Sequence, residues 1–175
     1  MEKTQIIIQD LEPLIVDWVI AEGLIIHTQE QAIAQHGKTE EEVGELQEAI
    51  AAFERSPLSK LNASEQNQLV EEMKLEAGDV LVTLIIQAAI QRTTLKDVGK
   101  LAAHCGPISL PNALNNLSNS IQWNIGFSVA EAIARLAVAV EYAVGLYGLD
   151  FEQCLEAAWL KIRDRTGKTG SEEGC

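Results

Sequence analysis

Residues 76–86 read Glu-Ala-Gly-Asp-Val-Leu-Val-Thr-Leu-Ile-Ile, and this segment says more about the architecture than any other part of the chain. From Val80 onward a helix would be apolar on every side, so we expect it to be buried. Glu76 and Asp79 stand three residues apart and face the same way where that helix begins. Two ionised carboxylates beside a buried helix are costly unless a positive charge compensates them. The segment therefore predicts a central helix with a cation close to its acids.

A second set of acids lies upstream in residues 38–46, which read Lys-Thr-Glu-Glu-Glu-Val-Gly-Glu-Leu. On a helix that turns by about 100° per residue, Glu42 lies on the apolar face of Leu46, and Glu45 lies only about 60° from Glu42. Two helices that each carry two acids at i, i+3 spacing beside an apolar face would bring four carboxylates together. Hard oxygen ligands of this kind suit Mg²⁺ or Mn²⁺.

An alternative interpretation treats the upstream acids as a solvated run. The acids of this run would then face water and pair with Lys38 and Arg55; they are Glu40, Glu41, Glu42 and Glu45. The downstream acids argue against this interpretation, because no Lys or Arg follows them until Arg92.

A carboxylate-bridged di-iron site is a second alternative for a helical bundle rich in acids. That site needs Glu-x-x-His pairs. None of the three histidines, His27, His36 and His104, has a Glu three residues before it. We therefore set this alternative aside.

Signals that begin and end helices occur along the whole chain. Capping-box patterns begin at Thr28, Asn62 and Ser128, and Pro13 suits a first helical turn. Only four prolines and 5% aromatic residues favour helices over strands. The sequence therefore predicts an all-α bundle with helices at about 13–22, 28–54, 63–91 and 94–104, one after Pro111, and two more at 128–148 and 150–165.

Composition predicts one folded domain and restricts its partners. The chain has 175 residues, 47% of them hydrophobic, and we expect a single domain at 1–168 with a flexible tail at 169–175. With 13 Lys and Arg against 26 Asp and Glu, the formal net charge is −13. This charge argues against binding of polymeric nucleic acid or of an anionic membrane. A small polyanion such as a nucleotide is compatible, provided that metal ions accompany it.

The cysteines and the N-terminus predict a cytoplasmic protein. Cys105, Cys154 and Cys175 are an odd number without paired spacing, which favours a reducing compartment. Residues 1–4 show no basic region followed by an apolar run, so we expect no signal peptide. The longest apolar stretch, Val80 to Ile86, is too short to span a bilayer.

The acidic pattern Glu41-Glu42-x-x-Glu45, a spacer of thirty residues and Glu76-x-x-Asp79 resembles the signature of the all-α nucleoside triphosphate pyrophosphohydrolases. This superfamily contains MazG, the dimeric dUTPases and the phosphoribosyl-ATP pyrophosphatases. The resemblance extends over about residues 28–91. The chain departs from the family in a slightly longer spacer and in an additional helical segment at 101–127.

The resemblance implies hydrolysis of (deoxy)nucleoside triphosphates between the α and β phosphates, for control of nucleotide pools or for removal of modified nucleotides. It also implies a role for each acid of the pattern. Mg²⁺, or alternatively Mn²⁺, would be held by Glu42, Glu45, Glu76 and Asp79. Glu41 would support the site or help to orient the attacking water, so Glu41 and Glu42 are the candidate catalytic residues.

The basic end of the last predicted helix also looks like the family. Lys161, Arg165 and Lys168 are spaced by about one turn and would reach the outer phosphates. The alternative is a cationic helix C-terminus that the helix dipole favours. Lys38 is a further candidate, either as a phosphate contact or as an ion pair that orients Glu42.

Base recognition and self-association complete the expectations. Trp18 is the candidate base-stacking residue, whereas Trp123 and Trp159 fit a core or an interface equally well. The resemblance implies a homodimer or homotetramer. The alternative to an enzyme is a catalytically inactive helical scaffold with a binding or regulatory role.

Overall fold

The computed structural model describes residues 2–102 and 108–169, with side chains from Leu11 to Leu101 except Leu58, and from Ile108 to Arg165. These residues form α-helices and one short 3₁₀ turn at Leu58–Lys60, and they contain no strand. The prediction of an all-α chain is confirmed. The helices are α1 (Glu2–Ala21), α2 (Gln29–Arg55), α3 (Ala63–Ile90), α4 (Leu95–Ala102), α5 (Leu110–Trp123), α6 (Val129–Gly145) and α7 (Phe151–Thr169).

Helix α3 is the centre of the fold. It contacts α1, α2, α4, α6 and α7, and every residue from Val80 to Ala88 is buried. Burial on all sides is what the apolar composition of this segment predicts. Its start at Ala63 and its end at Ile90 also agree with the sequence.

Local capping residues explain why the helices begin where they do. The Thr28 hydroxyl accepts a hydrogen bond from the Gln31 backbone amide at 3.2 Å, and the Ser128 hydroxyl accepts one from the Glu131 amide. Asn62 and Glu65 form a complete capping box at the start of α3. These contacts satisfy amides that have no partner within the helix. The predicted starts of α2, α3 and α6 are therefore confirmed.

Two predicted helix boundaries are wrong, the start of α1 and the end of α7. Helix α1 begins at Glu2 rather than near Pro13, which lies within the helix with an exposed side chain. Glu12 and Ile15, on either side of Pro13, are both buried, so tertiary contacts hold the chain before and after the proline. Helix α7 likewise continues past Gly167 to Thr169, since a glycine costs only about 1 kcal/mol in a helix.

Some expectations fall on parts of the chain that the structure does not describe. His104 and Cys105 lie outside the described residues, as do Cys175 and the predicted tail from 170 onward. The additional segment expected at 101–127 contains α5, which packs against α2 and α6. Among the described residues, no helix has both the length and the apolarity that a membrane span requires.

Glu12 joins the first helix to the fourth through a contact that the sequence does not announce. Its carboxylate is buried and accepts hydrogen bonds from the backbone amides of Leu95 and Lys96, the latter at 3.2 Å. A carboxylate from α1 therefore caps the N-terminus of α4. Burial raises the pKa of Glu12, and the two backbone hydrogen bonds partly oppose that effect.

Helices α3 and α7 approach most closely at Gly78. A Cβ atom added there would lie 2.1 Å from the Cys154 carbonyl oxygen and 2.8 Å from the Ala158 Cβ. Only glycine allows the two backbones to come this near. Cys154 itself is buried, and burial raises the pKa of its thiol to about 12. This contact fixes where the following turn of α7 lies beside α3.

Candidate metal centre

Three of the four predicted metal ligands converge between α2 and α3. Glu42, Glu45 and Glu76 each place one carboxylate oxygen within 4.8 Å of the oxygens of the other two. The i, i+3 spacing on α2 puts the first two on neighbouring faces, and α3 brings the third against them. We refer to these three residues as the acidic cluster.

The acidic cluster lies at the edge of the packed interior. Glu42 and Glu76 are partly buried, whereas Glu45 is exposed. One oxygen of Glu76, Oε2, is buried and accepts no hydrogen bond from the described residues. A buried carboxylate oxygen without a partner is costly. The hard oxygen donors of the cluster could hold a cation such as Mg²⁺ or Mn²⁺.

The surroundings of the cluster disfavour the ionised form of its carboxylates. Burial, followed by the nearby charges of Asp79, Glu45 and Glu76, raises the pKa of Glu42 to about 7. Burial, Asp79 and Glu45 also raise the pKa of Glu76, and Lys161 partly offsets that increase. A carboxylate resists ionisation where like charges and low polarity surround it. A bound divalent ion would reverse this balance.

Asp79, the fourth predicted ligand, lies beside the cluster but has a different partner. Its Oδ2 accepts a hydrogen bond from the Lys161 amine at 2.5 Å, across the contact between α3 and α7. The side chains of Asp79 and Lys161 are 17% and 34% exposed. The resemblance implied that Lys161 reaches the outer phosphates, and the structure places its amine on Asp79, one of the predicted metal ligands.

Lys38 and Glu41 form a separate pair on the exposed side of α2. The Lys38 amine lies 2.6 Å from a Glu41 carboxylate oxygen, and this hydrogen bond raises the pKa of Lys38. The expected ion pair of Lys38 with Glu42 is therefore not the one that forms. Glu41 contributes to the high pKa of Glu42, which shows that its charge acts on the cluster from the rim.

The remaining candidate residues lie on α7 and α1, which both contact α3. Arg165 is exposed on α7, about one turn beyond Lys161, and the Lys168 side chain is outside the described residues. Trp18 is half-buried on α1, which contacts both α3 and α7. Its indole Nε1 is buried and has no hydrogen-bond partner within the described residues.

A separate groove lies on the other side of α2 from the acids. It has a volume of about 440 Å³ and is lined mainly by apolar residues of α2, α5 and α6, including Ile50, Pro111 and Leu146. None of the four predicted metal ligands lines it. The acidic residues and this groove are therefore separate features.

The described residues form an all-α bundle. Two neighbouring helices of it, α2 and α3, bring three carboxylates together. Residues 31–104 match the family model of the MazG nucleotide pyrophosphohydrolase domain. The matched segment contains the acidic cluster and Asp79, and the predicted MazG-like character is confirmed for this part of the chain. Comparison with curated proteins and with solved structures gives no significant match.

Proposed function

We propose that the protein is a Mg²⁺-dependent pyrophosphohydrolase of (deoxy)nucleoside triphosphates. Water would attack the α phosphorus, the α–β phosphoanhydride bond would break, and the products would be the nucleoside monophosphate and pyrophosphate. The observation that carries this proposal is the convergence of Glu42, Glu45 and Glu76 within the segment that matches the family model. Control of nucleotide pools and removal of modified nucleotides are both consistent with this reaction.

The proposal gives each acidic residue a role. Glu42, Glu45 and Glu76 would hold the ion, with Asp79 as a fourth ligand. When bound, Mg²⁺ neutralises charge on the phosphates and so permits attack on an anionic substrate. Glu41, at the rim, would orient the attacking water and accept its proton.

Residues on three helices would bind the nucleotide itself. Lys161, Arg165 and Lys168 would bind the outer phosphates from α7, and Lys38 would assist from α2. Trp18 would stack on the base from α1. Contacts of α1 with α7, and of both helices with α3, support a shared role of Trp18 and the α7 cations.

The central test is pyrophosphate release from a panel of nucleoside triphosphates, with Mg²⁺ or with EDTA. We expect hydrolysis only with the metal, and we expect Glu42→Gln and Glu76→Gln to lower kcat/KM by about a hundredfold or more. Glu48→Gln is the matched control, because Glu48 is exposed on the same helix outside the cluster. If the wild type hydrolysed no nucleotide of the panel, the scaffold alternative would replace the enzyme.

We also propose that the protein is cytoplasmic and assembles as a homodimer or homotetramer. Exposed apolar side chains on and after α5 and α6 support self-association: Trp123 and Leu146 are both 67% exposed, and Ile125 is 63% exposed. Light scattering after size-exclusion chromatography tests this point. A monomeric mass at micromolar concentration would contradict it.

A further inference from the structure

The ion pair between Lys161 and Asp79 lies beside a cluster of three unneutralised carboxylates. The amine donates to Asp79 at 2.5 Å, and it also lowers the pKa of Glu76. Lys161 thus provides positive charge to the acids in the metal-free protein. In this position Lys161 forms an ion pair with Asp79, the acid that the family pattern assigns to the metal.

The position of Lys161 follows from the packing of two helices. Gly78 precedes Asp79 and lies against Ala158, which is three residues before Lys161. The same close contact that requires glycine therefore brings the lysine to the acid. The pair is a consequence of the fold rather than of a chance encounter of surface side chains.

The Lys161 side chain can also extend into solvent. About a third of it is exposed, whereas the Asp79 side chain is 17% exposed. A lysine has a flexible four-carbon stem and an amine that interacts as a point charge. Its amine can therefore leave Asp79 and turn toward solvent without any movement of the helices.

We propose that Lys161 is the counter-ion of the metal-free site, and that cation binding displaces it from Asp79 and frees its amine for the triphosphate. This inference rests on the proposed function and adds an order of binding to it, with the metal before the nucleotide. Lys161 then has two partners in turn. Its removal should strengthen metal binding by the free protein and weaken binding of the nucleotide.

The first test is direct binding of Mn²⁺, measured from the spectrum of the free ion by electron paramagnetic resonance without nucleotide. Because a partly buried ion pair is lost, we expect Lys161→Met to tighten Mn²⁺ binding about three- to tenfold. Arg165→Met is the matched control, since it removes one positive charge about one turn further along α7. Lys161→Arg should keep the affinity near that of the wild type. If both methionine variants tightened Mn²⁺ binding equally, the loss of one positive charge would explain the effect, and the inference would be overturned.

The second test uses the unmodified protein and needs no variant to fold. Acetylation of individual lysine amines is followed by mass spectrometry, with Mg²⁺ absent, with Mg²⁺ present, and with Mg²⁺ plus α,β-imido deoxynucleoside triphosphates. We expect Lys161 to react faster once Mg²⁺ is added and slower again with the analogues. Lys100, paired with Asp97 on α4 at 2.7 Å, serves as an internal control whose rate should not change.

The outcomes separate this inference from the proposed function. Hydrolysis of nucleotides together with an unchanged Lys161 reactivity on addition of Mg²⁺ would overturn the counter-ion role alone. A Mg²⁺-dependent increase without protection by any analogue, and without hydrolysis, would support the counter-ion role. The same result would overturn both the nucleotide step and the proposed function.

Discussion

Glu42 shows how one residue links the site to stability. Its pKa of about 7 lies above the ordinary value of 4.5, because burial and the neighbouring acids disfavour its ionised form. The folded state therefore binds this proton more tightly than the unfolded state. The resulting stabilisation is complete below pH 4.5 and is lost as the pH rises through 7. The metal-free protein should thus gain stability from Glu42 when the pH falls from 7.5 to 5.5.

This gain in the free energy of unfolding amounts to roughly 1 kcal/mol after allowance for solvent screening. We expect Glu42→Gln to abolish it, because glutamine stays neutral at both pH values. Urea unfolding at both pH values in EDTA measures it. Burial lowers the pKa of His36, so that residue contributes in the opposite direction, but equally in both proteins. Glu48→Gln should retain the pH dependence of the wild type. An unchanged pH dependence in Glu42→Gln would contradict the assignment.

At the residue scale, spacing along the chain predicted which acids share a face. The i, i+3 spacing places Glu42 and Glu45 on neighbouring faces of α2, and the packing of α3 against α2 adds Glu76. The pairing of Lys161 with Asp79 could not be predicted from the sequence, because it depends on where α7 crosses α3. Lys38 pairs with Glu41 rather than with Glu42, and local spacing alone does not decide between these two carboxylates.

The contact between α3 and α7 is the element that positions Asp79 and Lys161. An alanine at position 78 would place its Cβ 2.1 Å from the backbone oxygen of Cys154, which a side-chain movement cannot relieve. We therefore expect Gly78→Ala to cost about 3 kcal/mol in the free energy of unfolding and to separate Lys161 from Asp79. Urea unfolding measures the first effect. Lys161 acetylation in the metal-free protein measures the second and should become faster.

Gly44→Ala on α2 is the matched control for that experiment. No heavy atom lies within 4 Å of a Cβ added at Gly44, and glycine is a poor helix former. The substitution should therefore stabilise the protein by about 0.5–1 kcal/mol. Similar effects at the two glycines would show that helix propensity, and not the approach of α7, determines the cost at Gly78.

At the scale of elements, the sequence predicts what local chemistry controls. Caps such as Asn62 with Glu65 act within one turn, and the helix starts that they predict are correct. The continuation of α1 through Pro13 goes instead with buried residues on both sides of the proline, Glu12 and Ile15. Glu12 caps α4 by accepting a hydrogen bond from Leu95, which lies 83 residues further along the chain. Such long-range contacts leave no periodic signal.

The molecule as a whole carries a net charge of −13, and part of that charge is concentrated at one site. Self-repulsion among surface acids opposes the compact state, and monovalent salt screens it. Under the proposed function Mg²⁺ should act differently, because an ion that binds only the folded state stabilises it by RT ln(1 + [Mg²⁺]/Kd). The two effects can be separated by keeping the ionic strength constant.

At constant ionic strength, replacing part of the NaCl by 5 mM MgCl₂ should raise the thermal midpoint of the wild type by about 3–6 °C, if the site is well above half occupied. The double variant Glu42→Gln with Glu76→Gln should begin with a higher midpoint in EDTA, since two repelling, partly buried carboxylates are gone. It should then show no further increase with Mg²⁺. Differential scanning calorimetry measures both values. An equal Mg²⁺ response in the wild type and the double variant would place the ion elsewhere on the acidic surface and contradict the candidate metal centre.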